Sequence, residues 1–227
     1  MSDQTQDYLD VLTQEFALNA NAEIALKQKQ YMRNQFDFYG MKAGERQQIQ
    51  KPFLTKEFLP PKSELSELVH TLWSKPQRDF QFFGQELVWK YIKVLEVEDL
   101  ELLEYMVTHK SWWDTVDYIA NRLMGSYFKK HPNEIPHQID KWLDSGNIWL
   151  QRSALLFQLK YKSELNTELL TRIILRLLGS NEFFINKAIG WVLREYSRTN
   201  PDWVLEFTNS HELNPLSRRE ALRLMKH

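Results

Sequence analysis

Helix-breaking or capping clusters recur along this chain at nearly constant spacing, and that spacing limits the fold more than any other feature. They are Ala43-Gly44, Lys75-Pro76, Lys110-Ser111, Ser145-Gly146, Gly179-Ser180 and Asn214-Pro215. From Gly44 through Pro76, Ser111, Gly146 and Ser180 to Pro215 the intervals are 32, 35, 35, 34 and 35 residues. A stretch with apolar residues three and four apart follows each cluster, as in SNEFFINKAIGWVLREY, and another precedes it, as in TELLTRIILRLL. That is the helical period. Helix pairs repeating at about 35 residues point to an α-solenoid, and the absence of the TPR aromatic signature favours the HEAT-like kind. A compact, non-repeating helix bundle is the alternative. Two further helices, around 3–19 and 22–38, are expected to cap the array. The expected organisation is a single HEAT-like repeat domain over 1–227, all-α, built of antiparallel helix pairs, with cap helices in about the first 40 residues and a concave binding face.

Composition agrees with helix. The chain has 227 residues, 43% of them hydrophobic, and only 7 Gly, which favours helices over a turn-rich β architecture. There is no Cys, so disulfides and thiolate metal sites are excluded. The first ten residues, MSDQTQDYLD, are too polar for a signal peptide. No apolar run approaches the roughly 20 residues a membrane span needs. A cytoplasmic protein is expected. The net charge of −1 divides unevenly: residues 1–109 hold 12 Lys and Arg against 17 Asp and Glu, whereas 110–227 hold 17 against 13. The implied basic C-terminal half could hold a polyanion locally.

Three charged residues, Asp117, Arg152 and Lys187, lie 35 apart, at one place in the second helix of three successive repeats. Trp113 precedes Asp117 by four and Trp191 follows Lys187 by four, so each pair shares a helix face. With neighbouring helices about 8–10 Å apart, the row Trp113, Asp117, Arg152, Lys187, Trp191 spans on the order of 20 Å, about a duplex width. Arg46, Lys160 and Arg194 fall near this row and suit phosphate contacts; Arg218, Arg219 and Arg223 could extend the track. Asp117 and Arg152 are equally suited to a salt bridge between repeats, and Trp113 and Trp191 to core filling. Trp73, Trp89, Trp142, Trp149 and Trp203 are expected to be packing residues. The six His carry no metal-binding spacing, and no P-loop, dinucleotide fingerprint or nucleophile elbow occurs.

At these residues the sequence resembles the AlkD family of DNA alkylpurine glycosylases. The segments that carry the resemblance are SWWDTVD (111–117), NIWLQRSALLFQLKYK (147–162), EFFINKAIGWVLREY (182–196) and QYMRNQFDFYG (30–40), with ER at 45–46. The resemblance implies a HEAT-like fold and a lesion site formed by Trp113, Asp117, Arg152 and Trp191, with Tyr31 as a further cleft aromatic. Gln47 stands where related members carry an Arg. The implied activity is hydrolysis of the N-glycosidic bond of 3-methyladenine or 7-methylguanine in duplex DNA, without base flipping and without strand cleavage. In that reading Asp117, Trp113 and Trp191 are catalytic, and Arg152, Lys187, Tyr31, Arg46, Lys160 and Arg194 bind DNA. It calls for no metal, no cofactor, no membrane and no obligatory protein partner, and for a monomer. A non-catalytic scaffold that binds DNA structures or proteins is the rival. What separates the two is Asp117: a binder has no use for a carboxylate facing phosphates, which would repel it.

Overall fold

The computed structural model describes residues 1–225, which form helices and turns with no β-strand among them. The chain divides into two compact units, Met1–Val94 and Leu95–His227. Among the described residues no helix is long and apolar enough to cross a membrane.

In the first unit, α1 (Asp3–Leu18), α2 (Ala22–Tyr31), α3 (Ala43–Gln50), α4 (Leu65–Ser74) and α5 (Arg78–Lys90) are joined by turns, some of them 3₁₀. The first two helices begin where side chains replace missing helical acceptors. Ser2 accepts the Thr5 N–H and Asn21 the Ile24 N–H. Leu9, Leu12 and Phe16 of α1 are buried, as are Phe80 and Phe83 of α5, and the Phe16 and Phe80 rings lie 5.5 Å apart. A Cβ at Gly84 would stand 2.7 Å from the Trp73 ring, so Gly84 is what lets that indole reach the α5 backbone.

The second helix stops at Tyr31, short of the expected 38. Arg33 and Asn34 both take left-handed backbone conformations, φ 53° and 59°, and the Asn34 N–H donates back to Lys29 O at 2.8 Å. The residues that follow dock on the start of α5 rather than prolonging a helix. The Arg78 N–H donates to Asp37 O at 2.8 Å, and Asp79 accepts the Tyr39 N–H at 2.8 Å.

The second unit carries the repeat. Its first helices are α6 (Leu100–Thr108), α9 (Ile135–Asp144), α11 (Thr167–Leu177) and α13 (Pro201–Ser210). Its second helices are α7 (Trp113–Tyr118) with its continuation α8 (Gly125–Lys130), then α10 (Ile148–Leu156), α12 (Phe183–Tyr196) and α14 (Pro215–Ala221). Within this unit α10 packs on α7 and α12, α12 on α14, and α9 on α11, giving one layer of each kind of helix. Asparagine side chains open four of these helices: Asn147, Asn166, Asn200 and Asn214 cap α10, α11, α13 and α14. Trp142, Phe128 and Phe157 fill the core between layers.

The segment after Ser111 departs from the uniform helix that its pattern predicts. Ile119–Met124 is a single π-helical stretch between α7 and α8. The Asn121 side-chain amide donates to the Asp117 carbonyl, and Tyr161 O–H donates to Gly125 O at 2.6 Å, so polar groups at both ends of the widened turn are satisfied. Single π turns of this kind frequently interrupt helices at functional sites. Here the turn begins two residues after Asp117.

Candidate active site

Asp117 lies in the last turn of α7 and Arg152 near the middle of α10. Packing of these helices brings the two residues, 35 apart in sequence, into a two-pronged ion pair. Arg152 Nε donates to Asp117 Oδ1 at 2.7 Å and Nη2 to Oδ2 at 2.9 Å. The third arm, Nη1, donates to the Phe184 carbonyl at the start of α12. One guanidinium therefore ties three successive second helices together. The pair is mostly covered: the Arg152 side chain is 4% exposed and that of Asp117 16%. Burial pushes the Asp117 carboxyl above the usual aspartate value, and the Arg152 hydrogen bonds and charge pull it back only in part.

The sequence reading leaves Arg152 either to a DNA phosphate or to a salt bridge with Asp117; in the structure its donors go to Asp117 and Phe184 and almost none of it is exposed. It serves the carboxylate. Arg46, expected near a DNA phosphate, is likewise engaged within the fold. It is 7% exposed, it donates to Gln50 and Glu86, and its guanidinium lies 4.9 Å over the Phe82 ring. Its partners in the structure all belong to its own unit.

Trp113 opens α7 one helical turn before Asp117, and Trp191 sits in α12 one turn after Lys187; both are partly exposed. Two expected packing residues, Trp73 and Trp142, are fully buried. Tyr31, at the end of α2 in the first unit, is 71% exposed. Lys160, Lys187 and Arg194, all in the second unit, keep part of their surface. Lys160 pairs with Glu195 at 2.8 Å and stays 58% exposed. Lys187 and Arg194, on one face of α12, both bind Glu220 of α14, at 2.8 and 2.7 Å.

Glu220, Glu195 and the Phe184 carbonyl are the groups that sequence reasoning missed. The repeat itself carried a signal for the first two. Oppositely charged residues 35 apart meet across neighbouring repeats, as Asp117 meets Arg152, Lys129 meets Glu164 and Lys160 meets Glu195. Scanning for opposite signs at that spacing would have paired Lys160 with Glu195 and pointed close to Glu220, 33 after Lys187.

A family model described as DNA alkylation repair enzyme matches residues 12–225. The chain belongs to this family. A solved structure described as a predicted DNA alkylation repair enzyme from Enterococcus faecalis is similar to it at 36% identity. That likeness has a TM-score of 0.84 and covers 90% of this chain and 95% of the other. Among curated proteins none matches the chain. Family membership places this chain among enzymes that repair alkylated DNA.

Proposed function

We propose that this family member is a monofunctional DNA glycosylase that releases cationic N3- or N7-alkylated purines, such as 3-methyladenine and 7-methylguanine, from duplex DNA. The supporting observation is the Asp117 carboxylate, partly exposed, held in one orientation by two Arg152 hydrogen bonds beside the π-helical turn.

The chemistry asks little of a protein. An N3- or N7-alkylated purine already carries positive charge, so it leaves as a neutral base and needs no general acid. As the glycosidic bond lengthens, positive charge moves onto the deoxyribose. A carboxylate beside that centre attracts it more in the transition state than in the ground state, which is what accelerates a reaction. At about 4 Å and an effective dielectric near 20, one such pair is worth about 4 kcal/mol, or roughly a thousandfold in rate. The Arg152 guanidinium cancels part of that field, so this figure is an upper bound. In return it fixes where the carboxylate points, and Asp117 can then also orient the attacking water. Trp113 and Trp191 would offer indole faces to the sugar, each worth about 1–2 kcal/mol to a desolvated cation. Selectivity in this scheme comes from the lability of the cationic lesion, so a flipped-base pocket is not required and bulky N-alkyl groups are tolerated.

Incubating the protein with duplex DNA pre-treated with a methylating agent tests this reading. The expected products are free methylated base and a strand that carries an abasic site but is unbroken. No free base under conditions where the protein binds the duplex would remove the proposal.

A second reading is favoured by the same ion pair. Asp117 and Arg152 could serve only to join two repeats of a non-catalytic scaffold, since both are largely covered. That reading predicts that the wild type releases no base from a methylated duplex.

A further inference from the structure

Glu220 is buried between α12 and α14 with its side chain only 10% exposed. It accepts the Lys187 ammonium through Oε1 and the Arg194 guanidinium through Oε2, one oxygen each. The two cations keep 38% and 24% of their side-chain surface. The seat of the carboxylate is tightly built. A Cβ at Gly190, between Lys187 and Arg194 in α12, would stand 2.6 Å from the Glu220 Cβ and 2.8 Å from Ser217 O. Ser217 O–H donates to the Asn186 carbonyl at 2.8 Å. The backbone of α14 therefore lies directly against that of α12, and the Glu220 Cβ is seated against Gly190.

We propose that Glu220 is a positioning residue, which fixes Lys187 and Arg194 as one rigid cationic pair for the DNA backbone; this rests on the glycosylase reading above. A lysine has three donors and an arginine five. With one of each directed to Glu220, donors remain on partly exposed heads. Two positive charges against one negative leave the cluster net positive. Arg223 lies close enough to act on the same carboxylate. Long cationic side chains on a surface helix ordinarily sample many rotamers, and holding them to a phosphate removes that freedom. A buried carboxylate that has already removed it leaves less entropy to surrender on binding.

Positioning and simple charge arithmetic predict opposite signs. Removing an acid near a DNA-binding face ought, by charge alone, to tighten DNA binding and steepen its salt dependence. Positioning predicts the reverse. Affinity of the full-length protein for an undamaged duplex, titrated across salt, reads both. For Glu220→Gln the expected result is roughly tenfold weaker binding, the scale of one charge-assisted hydrogen bond. The slope of log K against log salt should become shallower by about 1–2, at about 0.9 for each phosphate no longer neutralised. Introducing Glu220→Gln into a Lys187→Gln/Arg194→Gln background should change neither quantity, because the residues it positions are gone. Tighter binding with a steeper slope would overturn the proposal and make Glu220 a mere neutraliser. So would unchanged binding. An equal loss in both backgrounds would overturn it in favour of a purely structural role. A wild-type protein that does not bind duplex at all defeats the underlying reading and this inference together, a result distinct from the three others.

Discussion

Arg152 is the residue on which the candidate site turns, because its two hydrogen bonds and its charge offset the cost of burying Asp117. Replacing it by Gln strands a mostly covered carboxylate. Breaking a buried pair from one side costs about 3–5 kcal/mol, and urea unfolding at neutral pH should register a loss near that size. The sign of its pH dependence follows from the direction of the shift. The folded-state value of Asp117 lies above its ordinary 3.8, so the protonated form is the one the fold favours. Its contribution is fully present below the unfolded value and is lost as pH rises through the folded one. Without Arg152 the value rises further, and the deficit of the variant should therefore be small in acid and large at neutral pH. On the proposed mechanism base release depends on the ionised form, so its acid limb should move to higher pH in Arg152→Gln. An acid limb in the same place would mean that another group titrates. From the sequence, spacing alone brought Asp117 and Arg152 to the same height on adjacent helices. It left open whether Arg152 pairs with Asp117 or meets a phosphate, because a helical repeat fixes which turn a residue occupies and not which partner its side chain takes.

The helix pairs were the most legible part of the chain, since many of their ends fall at residues with a physical reason to be there. Asn147 and Asn214 cap, and Gly146 and Gly179 take left-handed φ of 67° and 81°. What escaped was local competition. The α2 helix stops at Tyr31 because Arg33 and Asn34 turn left-handed, although the apolar pattern runs on to Phe38. The π turn at Ile119–Met124 has no signature in hydrophobic period. Its polar partners are the Asn121 side-chain amide and a tyrosine hydroxyl from the next repeat. The packing of α12 on α14 can be tested at Gly190. Changing it to Ala places a methyl against the Glu220 Cβ and the Ser217 backbone, and overpacking of this kind costs about 1–3 kcal/mol. A thermal melt unchanged from wild type would mean that α14 does not sit where described. The junction of α12 and α14 also has a pH signature. Lys187, first by hydrogen bond and then by charge, together with Arg194 and Arg223, holds the Glu220 carboxyl below its ordinary 4.5. Its stabilising share is therefore present above 4.5 and lost as pH falls through the lower folded value. The stability difference between wild type and Glu220→Gln should shrink over that acid range.

On the scale of the whole molecule, the charge asymmetry read from the sequence does not survive its own boundary. Drawn at residue 109, the first part carries −5 and the rest +4. The compact units divide between 94 and 95, and the five acids between 95 and 109 belong with the second unit. Residues 1–94 then hold 12 Lys and Arg against 12 Asp and Glu, and 95–227 hold 17 against 18. Neither unit is basic. On the proposed reading, DNA affinity comes from local clusters such as Lys187 with Arg194 and, separately, Lys160. Three cations of this kind predict a modest salt slope of about −3, at about 0.9 per neutralised phosphate. A much steeper slope would mean a basic track that the named residues do not account for.

The most direct test of the account is single-turnover release of 7-methylguanine from a methylated duplex by wild type and Asp117→Asn, with duplex affinity and unfolding measured for both. The variant is expected to bind the duplex and stay folded while releasing base at least tenfold more slowly, and up to about a thousandfold, the limit set by one charge pair. Release within about twofold of wild type by a folded, DNA-bound variant would contradict the central claim that the Asp117 carboxylate stabilises the developing sugar cation.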